Sequence, residues 1–364
     1  MSRMAINVTF LKENGQKPIE IAASLGDFLS AAQSSLHLAI YDFRLGDDLA
    51  AVVFKALRER VAQGVEVRIA YDAGKPNIAF QRASADPAPP GTAEFVNRID
   101  RGIATRAIHG GDPRLPKLMH HKYIIRDGST PQAAVWTGST NFTDDSWTLQ
   151  ENNIVCIDSP DLAVYYETDF EELWARGDIA TTGERDTGAV QLPAPNSSTV
   201  EVAFAPGDGR AIDHEIAHRI GTARRRLKIC SMLITSGAIL GALGDALHHG
   251  HVREYGGLYD GTQMESVFDQ WHGSPAEWKI KAFQQVAEGL AFKRSTPYTP
   301  GGRHDFMHNK FVVADDCVIT GSYNLSHSAT ANAENVLMIH DRDLADRYAA
   351  YSDGLGSRYG QGIL

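Results

Sequence analysis

The sequence repeats itself once, and this internal repeat constrains the fold more than any other feature. The repeated units combine an amphipathic helix, a short polar turn or glycine C-cap, and an apolar run typical of a buried strand. His120 and His308 are separated by 188 residues, the same offset as Asp72 and Asp260. Three pairs of segments align: 32–43 with 223–234, 55–74 with 241–261, and 120–127 with 308–315.

Helices that alternate with buried strands predict an α/β fold, and the repeat predicts two pseudo-symmetric lobes, each a mixed β-sheet flanked by helices. We expect a first lobe over 1–185, a polar, proline-containing linker over 186–198 and a second lobe over 199–364. Two stretches that precede the third repeated segment, 78–117 and 262–306, are expected to be long irregular loops that are functional or mobile.

The third repeated segment carries the same polar motif in both lobes. Two such matches, each followed by Gly-Ser-x-Asn and then Glu-Asn, are too specific to arise by chance. The first copy reads His120-x-Lys122-x4-Asp127, then Gly138-Ser139-x-Asn141 and Glu151-Asn152. The second copy reads His308-x-Lys310-x4-Asp315, then Gly321-Ser322-x-Asn324 and Glu334-Asn335.

The histidine and lysine of each motif are two residues apart, so on a strand their side chains point to the same face. The apolar residues that follow, such as Tyr123 and Phe311, predict a buried strand that holds the pair rigidly. The glycine of Gly-Ser-x-Asn is expected to let the backbone approach a ligand closely. Its serine and asparagine are expected to donate hydrogen bonds to phosphate oxygens.

These residue types suit phosphoryl chemistry. A neutral imidazole can attack phosphorus and form a covalent phosphohistidine, while a second, protonated imidazole protonates the departing oxygen and then activates water. Two lysines neutralise non-bridging oxygens where charge develops. A carboxylate such as Glu151 or Glu334 can hold the other nitrogen of a histidine and fix its tautomer. The two motifs together supply this set without a metal or another cofactor.

The paired motifs resemble those of the phospholipase D superfamily, and the repeat extends that resemblance over most of the chain. The resemblance implies one active site between the two lobes, a covalent phosphohistidine and no metal requirement. It implies His120 as the nucleophile and His308 as the general acid, with Asp127 and Asp315 as structural support. Further implied roles are phosphate ligands (Lys122, Lys310, Asn141, Asn324) and histidine-orienting acids (Glu151, Glu334), with Ser139 and Ser322 supporting the motifs.

Composition separates the possible functions less sharply. The net charge of −10 favours neither a nucleic-acid binder nor a protein that docks on anionic lipid. The three cysteines are far apart, which argues against a disulfide framework or a thiolate metal site. We find no segment apolar enough to span a bilayer and no secretory signal, and we therefore expect a cytoplasmic protein.

Three functions remain open on the sequence. A nuclease or nucleotide phosphodiesterase is slightly favoured over a phospholipase D or phosphatidyltransferase that acts on phospholipid head groups. A binding protein that retains the fold without turnover is disfavoured because both motifs are intact. The expected partner is therefore a phosphodiester, either nucleic acid or phospholipid, and one chain contains a complete set of catalytic residues, so a monomer is sufficient although a dimer is possible.

Overall fold

The computed structural model describes residues 5–74, 91–112, 114–115, 117–193, 197–250, 252–299 and 301–360. The elements of the first lobe alternate between strands and helices as the repeat predicts. In chain order they are β1 (Ile6–Leu11), α1 (Pro18–Ser30), β2 (Ser35–Ile40), β3 (Phe43–Arg44), α2 (Asp47–Ala62), β4 (Glu66–Asp72), α3 (Thr92–Asn97), β5 (Ala104–Ile108), β6 (Lys122–Arg126), β7 (Ala134–Gly138), β8 (Phe142–Thr143), α4 (Asp144–Thr148), β9 (Asn152–Asp158) and α5 (Pro160–Arg176).

Among the described residues, the second lobe repeats this order with one more helix before its motif. Its elements are β10 (Gly188–Gln191), β11 (Thr199–Ala205), α6 (Gly209–Thr222), β12 (Arg226–Ser231), α7 (Gly237–His248), β13 (Glu254–Asp260), α8 (Gly261–Trp271), α9 (Trp278–Ala287), β14 (Ala291–Lys293), β15 (Lys310–Ala314), β16 (Cys317–Gly321), a 3-10 helix (His327–Ala331), β17 (Glu334–His340) and α10 (Arg342–Tyr359).

Each lobe contains one large mixed sheet, and the two sheets have the same topology. The strand order is β1-β9-β7-β6-β2-β4-β5 in the first sheet and β11-β17-β16-β15-β12-β13-β14 in the second, with β10 added at the edge beside β11. In each sheet the strand next to the motif strand, β2 or β12, pairs antiparallel with that motif strand and parallel with its other neighbour. The predicted fold class, two pseudo-symmetric α/β lobes, is therefore confirmed.

The amphipathic helices of the repeat end as their sequences indicate. Gly64 follows α2 with φ 81°, and Gly250 follows α7 with φ 62°. Both values lie in the left-handed region, which glycine adopts without a steric penalty. The next strands, β4 and β13, both end in Tyr-Asp.

The two lobes share a continuous apolar core. One cluster of buried side chains contains residues of both sheets together with the inner faces of α5 and α10. Phe204 of the second lobe illustrates this sharing, because its ring packs edge-on against Tyr166 of the first lobe, with centroids 5.0 Å apart. Polar contacts also cross the interface, since Nδ2 of Asn335 donates to Oγ1 of Thr137 at 2.9 Å. The lobes are thus halves of one folded unit.

Two expectations about connecting segments need correction. The stretch 262–306 is not an irregular loop, because it contains most of α8, all of α9 and strand β14. In the stretch 78–117, residues 78–90 lie outside the described part, and the remainder contains α3 and β5. Within the segment 186–198 that we expected to link the lobes, β10 joins the second sheet beside β11. The part of this segment over Gly188–Gln191 is therefore a strand of the second lobe.

In the described residues, no helix combines the length and the apolar character that crossing a bilayer requires. Cys156, Cys230 and Cys317 are free thiols; Cys230 and Cys317 are buried and Cys156 is partly buried.

Candidate active site

The two motif histidines are held where the lobes meet. His120 and His308 immediately precede β6 and β15, the strands that carry the motif lysines. The backbone N–H of His120 donates to the carbonyl oxygen of Ala333 at 2.9 Å, and that of His308 donates to the carbonyl oxygen of Glu151 at 3.1 Å. Each histidine is therefore fixed by the opposite lobe, and the pseudo-two-fold relation brings both motifs into one site.

Two aspartates fix the residues that precede these histidines. Oδ2 of Asp72 accepts from the backbone N–H of Met119 at 2.7 Å, and Oδ2 of Asp260 accepts from Met307 at 2.9 Å. Burial raises the pKa of Asp260 to about 6. Sequence reasoning aligned these aspartates but gave them no role. Their offset of 188 residues, shared with His120 and His308, was the signal that links them to the motifs.

The carboxylate of Glu334 orients His120 from the opposite lobe. Nδ1 of His120 lies 2.8 Å from Oε2 of Glu334, which also accepts from Oγ of Ser322 at 2.7 Å. Burial acts to raise the pKa of Glu334, but the neighbouring His120 and Lys122 outweigh it and leave that pKa below its usual value. An ionised Glu334 keeps the proton of His120 on Nδ1, so Nε2 presents its lone pair.

His308 has an amide partner where a carboxylate was expected. Nδ1 of His308 lies 3.0 Å from Oδ1 of Asn152, which also accepts from Oγ of Ser139 at 2.8 Å. Asn152 therefore takes the place that Glu334 has in the other half of the site. The prediction that Glu151 orients a histidine is wrong, because the first lobe has one extra residue between Gly138 and this position, which shifts the Glu-Asn alignment by one.

Glu151 instead belongs to a buried network behind the site. Its carboxylate accepts from Nζ of Lys293 at 2.9 Å, from the backbone N–H of Glu13 at 3.2 Å and from the hydroxyl of Tyr359. Nζ of Lys293 also lies 3.1 Å from Oε2 of Glu13. The network joins β14, the segment after β1 and the end of α10, so its role is to hold the two lobes together.

The two motif lysines are buried and lie beside the histidines. Nζ of Lys122 donates to the carbonyl oxygen of His120, and Nζ of Lys310 donates to that of His308, both at 2.8 Å. Burial lowers the pKa of Lys122 to about 7, although Glu334 acts in the opposite direction. Burial and the nearby Lys122 lower the pKa of Lys310 well below its usual range. A bound anion would raise both pKa values, because a nearby negative charge favours the protonated ammonium group.

The pKa values of both imidazoles are also lowered. Burial lowers the pKa of His120 to about 4, with Glu334 opposing the shift. Burial, followed by the charges of Lys310 and Lys122, lowers the pKa of His308 well below its usual value. Both rings are therefore neutral near neutral pH before substrate binds.

The serines of Gly-Ser-x-Asn form hydrogen bonds within the protein, and the glycines pack closely against a neighbouring strand. The hydroxyls of Ser139 and Ser322 are engaged with Asn152 and Glu334, so they do not serve as free phosphate donors. The expected close approach of glycine to a ligand is also corrected. A Cβ on Gly138 would lie 2.3 Å from the carbonyl oxygen of its neighbour on β9, and the equivalent distance for Gly321 and β17 is 2.2 Å.

The asparagines of the same motifs remain candidates for substrate contact. Asn141 and Asn324 follow β7 and β16 at equivalent places in the two lobes. Their side-chain oxygens are buried and have no hydrogen-bond partner among the described residues. Buried polar atoms are rarely left unpaired without a reason, and a bound substrate supplies one.

The motif aspartates lie at the far ends of their strands from the histidines. Asp127 and Asp315 adopt positive φ values of 56° and 53°. The carboxylate of Asp127 accepts backbone N–H groups over 33–35, and that of Asp315 accepts those over 224–226. Burial acts to raise both pKa values, but these hydrogen bonds outweigh it and lower them. Both carboxylates thus join the ends of the motif strands to the segments that precede β2 and β12.

One group of potential metal ligands lies away from the motifs. His37, Glu167 and Glu171 bring three ligand atoms within 4.8 Å of one another. Arg68 donates to Nε2 of His37 at 3.0 Å and pairs with Glu171. The guanidinium thus occupies the position that a cation would take, and the group is an ion-pair network.

Comparison with known proteins identifies the family. The family described as "Cardiolipin synthase, PLD-like domain" matches residues 25–174 and 216–355, one region in each lobe. The chain belongs to the phospholipase D superfamily.

Individual relatives of this superfamily member are distant. It is 31% identical over 153 residues to "Phospholipase D" of Rickettsia bellii (strain RML369-C), covering 42% of this chain and 66% of that protein. It is 36% identical over 63 residues to "Mitochondrial cardiolipin hydrolase" of Xenopus laevis, covering 17% and 28%. The matches thus span less than two thirds of either relative.

The fold has a structural counterpart over nearly its whole length. The crystal structure of phosphatidylserine synthase from Haemophilus influenzae Rd KW20 superposes with a TM-score of 0.67, covering 98% of this chain and 87% of that one. The sequence identity is 12%, so this similarity establishes the fold and leaves the substrate open.

Proposed function

We propose that this protein cleaves phosphodiesters in two steps through a covalent phosphohistidine on His120. The observation that carries the proposal is the buried contact of 2.8 Å between Nδ1 of His120 and Glu334. That contact leaves Nε2 as the nucleophile and places a carboxylate where it stabilises the positive charge that the ring gains on attacking phosphorus. Lys122 and Lys310 lie beside it to bind the non-bridging oxygens.

His308 acts as the general acid and then as the general base. In the first step Nε2 of His120 attacks phosphorus, the bond to the leaving oxygen breaks, and that oxygen takes its electron pair and the proton of His308. In the second step His308 takes a proton from water, the hydroxide oxygen attacks phosphorus, and the P–N bond breaks with its electron pair returning to His120. Both proton transfers use the same ring nitrogen.

The difference between the two histidine partners supports this order of roles. Glu334 is a carboxylate and favours a cationic ring at His120, whereas Asn152 orients His308 without adding a charge. A neutral partner does not hold the proton of His308, so His308 can release it to the leaving oxygen. When the phosphodiester binds, its negative charge raises the pKa of His308 and so favours the protonated ring that acts as the acid.

We also propose that turnover needs no metal ion and no second chain. Two imidazoles and two ammonium groups provide the nucleophile, the acid and the neutralising charge that a metal would otherwise supply. All four groups belong to one polypeptide, so a monomer has a complete site.

The catalytic groups contact the phosphodiester itself, so they fit nucleic acid and phospholipid alike. The names of the two relatives, phospholipase D and mitochondrial cardiolipin hydrolase, make a phospholipid substrate the second candidate. We favour a nuclease-like substrate on the basis of the cleft walls described below.

The test uses bis(p-nitrophenyl) phosphate in the presence of EDTA. Its leaving group is stable as an anion and does not need His308 to protonate it. We expect the wild-type protein to turn it over, His308→Ala to accumulate a p-nitrophenylphosphoryl adduct because the second step lacks its base, and His120→Ala to form none. Intact-mass measurement and peptide mapping locate the adduct.

An adduct on a residue other than His120 would reverse our assignment of roles. Loss of turnover in EDTA, with recovery on adding a divalent ion, would contradict the metal-independent mechanism.

A further inference from the structure

The side chains that border the two motif histidines, which we call the walls of the cleft, differ between the two lobes. Because the chain is a repeat, each such residue can be compared with its counterpart in the other lobe. Tyr41 lies beside the proposed nucleophile, with its ring centroid 4.8 Å from that of His120 and 5.1 Å from Nζ of Lys122. The register of β2 and β12 against the motif strands makes Met232 its counterpart in the second lobe. An aromatic ring at this place is therefore not a requirement of the fold.

An arginine continues this wall. Nε and Nη2 of Arg44 donate to the two carboxylate oxygens of Asp42 at 2.6 and 2.8 Å, which fixes the plane of the guanidinium. Arg44 is also within electrostatic range of Tyr41 and Tyr298. In the first lobe β3 pairs with β8, and in the second lobe a parallel bridge between Ile234 and Leu325 takes the same place. This alignment makes Thr235 the counterpart of Arg44. This planar group is again present in one lobe only.

Three nearly parallel rings form the second wall, in the loop before His308. Tyr298 stacks on His304 with centroids 5.1 Å apart, and His304 stacks on Phe306 at 5.3 Å. Tyr298 is 42% exposed and Phe306 is 7% exposed, so the cluster extends from the surface to the interior two residues before the catalytic histidine. The offset between the motifs makes Leu118 the counterpart of Phe306.

This ring cluster is fixed to the first lobe. The carbonyl oxygen of His304 accepts from Nε2 of Gln150 at 2.9 Å, and its backbone N–H donates to Oδ2 of Asp145 at 2.9 Å. The rings are therefore held at the boundary between the lobes, where both catalytic histidines lie, rather than on a free loop.

We propose that these walls bind the nucleobases next to the scissile phosphate, so that the substrate is single-stranded nucleic acid. This inference rests on the proposed phosphodiesterase function. Aromatic rings and guanidinium planes bind unpaired bases by stacking, and they accept every base because each has a π-face. In a duplex the bases are already stacked, so a double-stranded substrate cannot use these surfaces.

The charges around the cleft indicate a short binding site. On the loop before the second motif, Arg294 pairs with Glu265 and Arg303 pairs with Asp305. With Arg44 paired as well, these arginines are neutralised by carboxylates and do not form a track for a long phosphate backbone. We therefore expect stacking to dominate binding and the salt dependence to be weak, since few counterions are released.

A phospholipid surface fits these observations less well. An interfacial enzyme needs a continuous apolar rim around its site. The large apolar side chains that are exposed in the described residues lie singly on five segments: Ile19, Leu115, Val164, Trp278 and Tyr298.

The test compares a short thymidine oligonucleotide with an abasic oligonucleotide of the same length and backbone. For the wild-type protein we expect kcat/KM to be about tenfold to a hundredfold higher on the thymidine strand, as loss of one stacked base predicts. Tyr41→Ala and Tyr298→Ala should each bring this ratio towards one. The matched controls are Met232→Ala, the counterpart of Tyr41, and Trp278→Ala, another exposed aromatic residue, and both should keep the wild-type ratio.

Equal rates on the two oligonucleotides, or equal loss of ratio in test and control variants, would overturn the proposal. Turnover of phosphatidylcholine or cardiolipin vesicles without turnover of either oligonucleotide would also overturn it and would favour the phospholipid alternative. In both cases the phosphodiesterase function stands if bis(p-nitrophenyl) phosphate is cleaved. Failure on that simple diester is the separate result that would reject the proposed function.

Discussion

Glu334 accepts a hydrogen bond from Nδ1 of His120 at 2.8 Å, although the two residues belong to different lobes and are 214 residues apart. The same exchange occurs in the other direction, because Asn152 of the first lobe orients His308 of the second. Each lobe therefore contributes one motif histidine and the group that orients the histidine of the other lobe. The proposed active site lies at the interface, and neither repeat alone contains all of its residues.

The carboxylate of Glu334 should be needed for its charge as well as its shape. In Glu334→Gln the side chain keeps its size, but it no longer favours the proton on Nδ1 or the cationic phosphohistidine. We expect kcat to fall about 10²-fold to 10⁴-fold, as in other enzymes where the histidine-orienting carboxylate is replaced by an amide. Glu201→Gln, which alters a surface ion pair with Arg219, is the control and should leave kcat unchanged. A Glu334→Gln variant with wild-type kcat would contradict this role.

Asn152 and Glu151 are neighbours in sequence, but their replacement should have different effects. Asn152→Ala removes the group that orients His308 and should lower kcat for an oligonucleotide by about tenfold or more. Because the buried Asn152 is also bonded to Ser139, Ser146 and Gln150, this variant should in addition lose about 1 to 3 kcal/mol of unfolding free energy. Glu151→Gln leaves the buried Lys293 without its closest anionic partner and should lower the free energy of unfolding by about 3 kcal/mol. Steady-state kinetics and urea unfolding separate the two effects.

This contrast tests our alignment of the two lobes, in which Asn152 rather than Glu151 is the counterpart of Glu334. If Glu151→Gln lowered kcat strongly in fully folded protein, while Asn152→Ala did not, then Glu151 would be the orienting residue and the contact between Asn152 and His308 would be incidental.

These two residues also show where sequence reasoning reached its limit. The motifs, the strands that carry them and the pairing of the lobes were predictable, because each depends on local polar spacing and apolar runs. The partner of each histidine was not predictable. Glu151-Asn152 and Asn152-Asn153 both align plausibly with Glu334-Asn335, and only the hydrogen bonds of the folded chain distinguish a one-residue shift.

The helices of 262–306 were missed for a different reason. Met264, Val267, Phe268 and Trp271 have the spacing of an amphipathic helix, and α8 includes all four. At the corresponding place in the first lobe the described residues contain a single short helix, α3, so an alignment guided by internal symmetry did not predict α8 and α9.

The motif glycines should be needed for stability. Gly321 has φ 145° and its backbone lies against β17, so the methyl group of Gly321→Ala would meet a carbonyl oxygen at 2.2 Å. We expect this variant to lose about 2 kcal/mol or more of unfolding free energy, because neither backbone can move without breaking the sheet. The control is Gly244→Ala in α7, where nothing lies within 4 Å of the added Cβ. It should gain about 0.5 to 1 kcal/mol, since alanine favours helix.

Thermal and urea unfolding of both variants test this. Equal stability of Gly321→Ala and Gly244→Ala would show that the strand accommodates a side chain at the motif glycine.

The lowered pKa values predict an acidic to neutral optimum. The profile of kcat/KM reports groups of the free enzyme. His120 must be neutral to attack, so activity should fall as pH decreases towards its pKa of about 4. Lys122 must be charged to bind the diester, so activity should fall as pH rises through its pKa of about 7. Bis(p-nitrophenyl) phosphate is the suitable substrate, because its leaving group does not depend on the protonation of His308.

Replacement of this lysine tests the assignment of the alkaline limb. Lys122→Arg keeps a cation whose guanidinium stays protonated across the whole range, because its usual pKa is above about 12. The variant should be slower, since the fork-shaped group does not fit the place of a compact ammonium. Its alkaline limb should be less steep than that of the wild-type protein, because Lys310 then remains as the titrating lysine of the pair. The acidic limb should remain, because His120 is unchanged. An alkaline limb with the wild-type midpoint and steepness in Lys122→Arg would contradict the role of Lys122 in binding the anion.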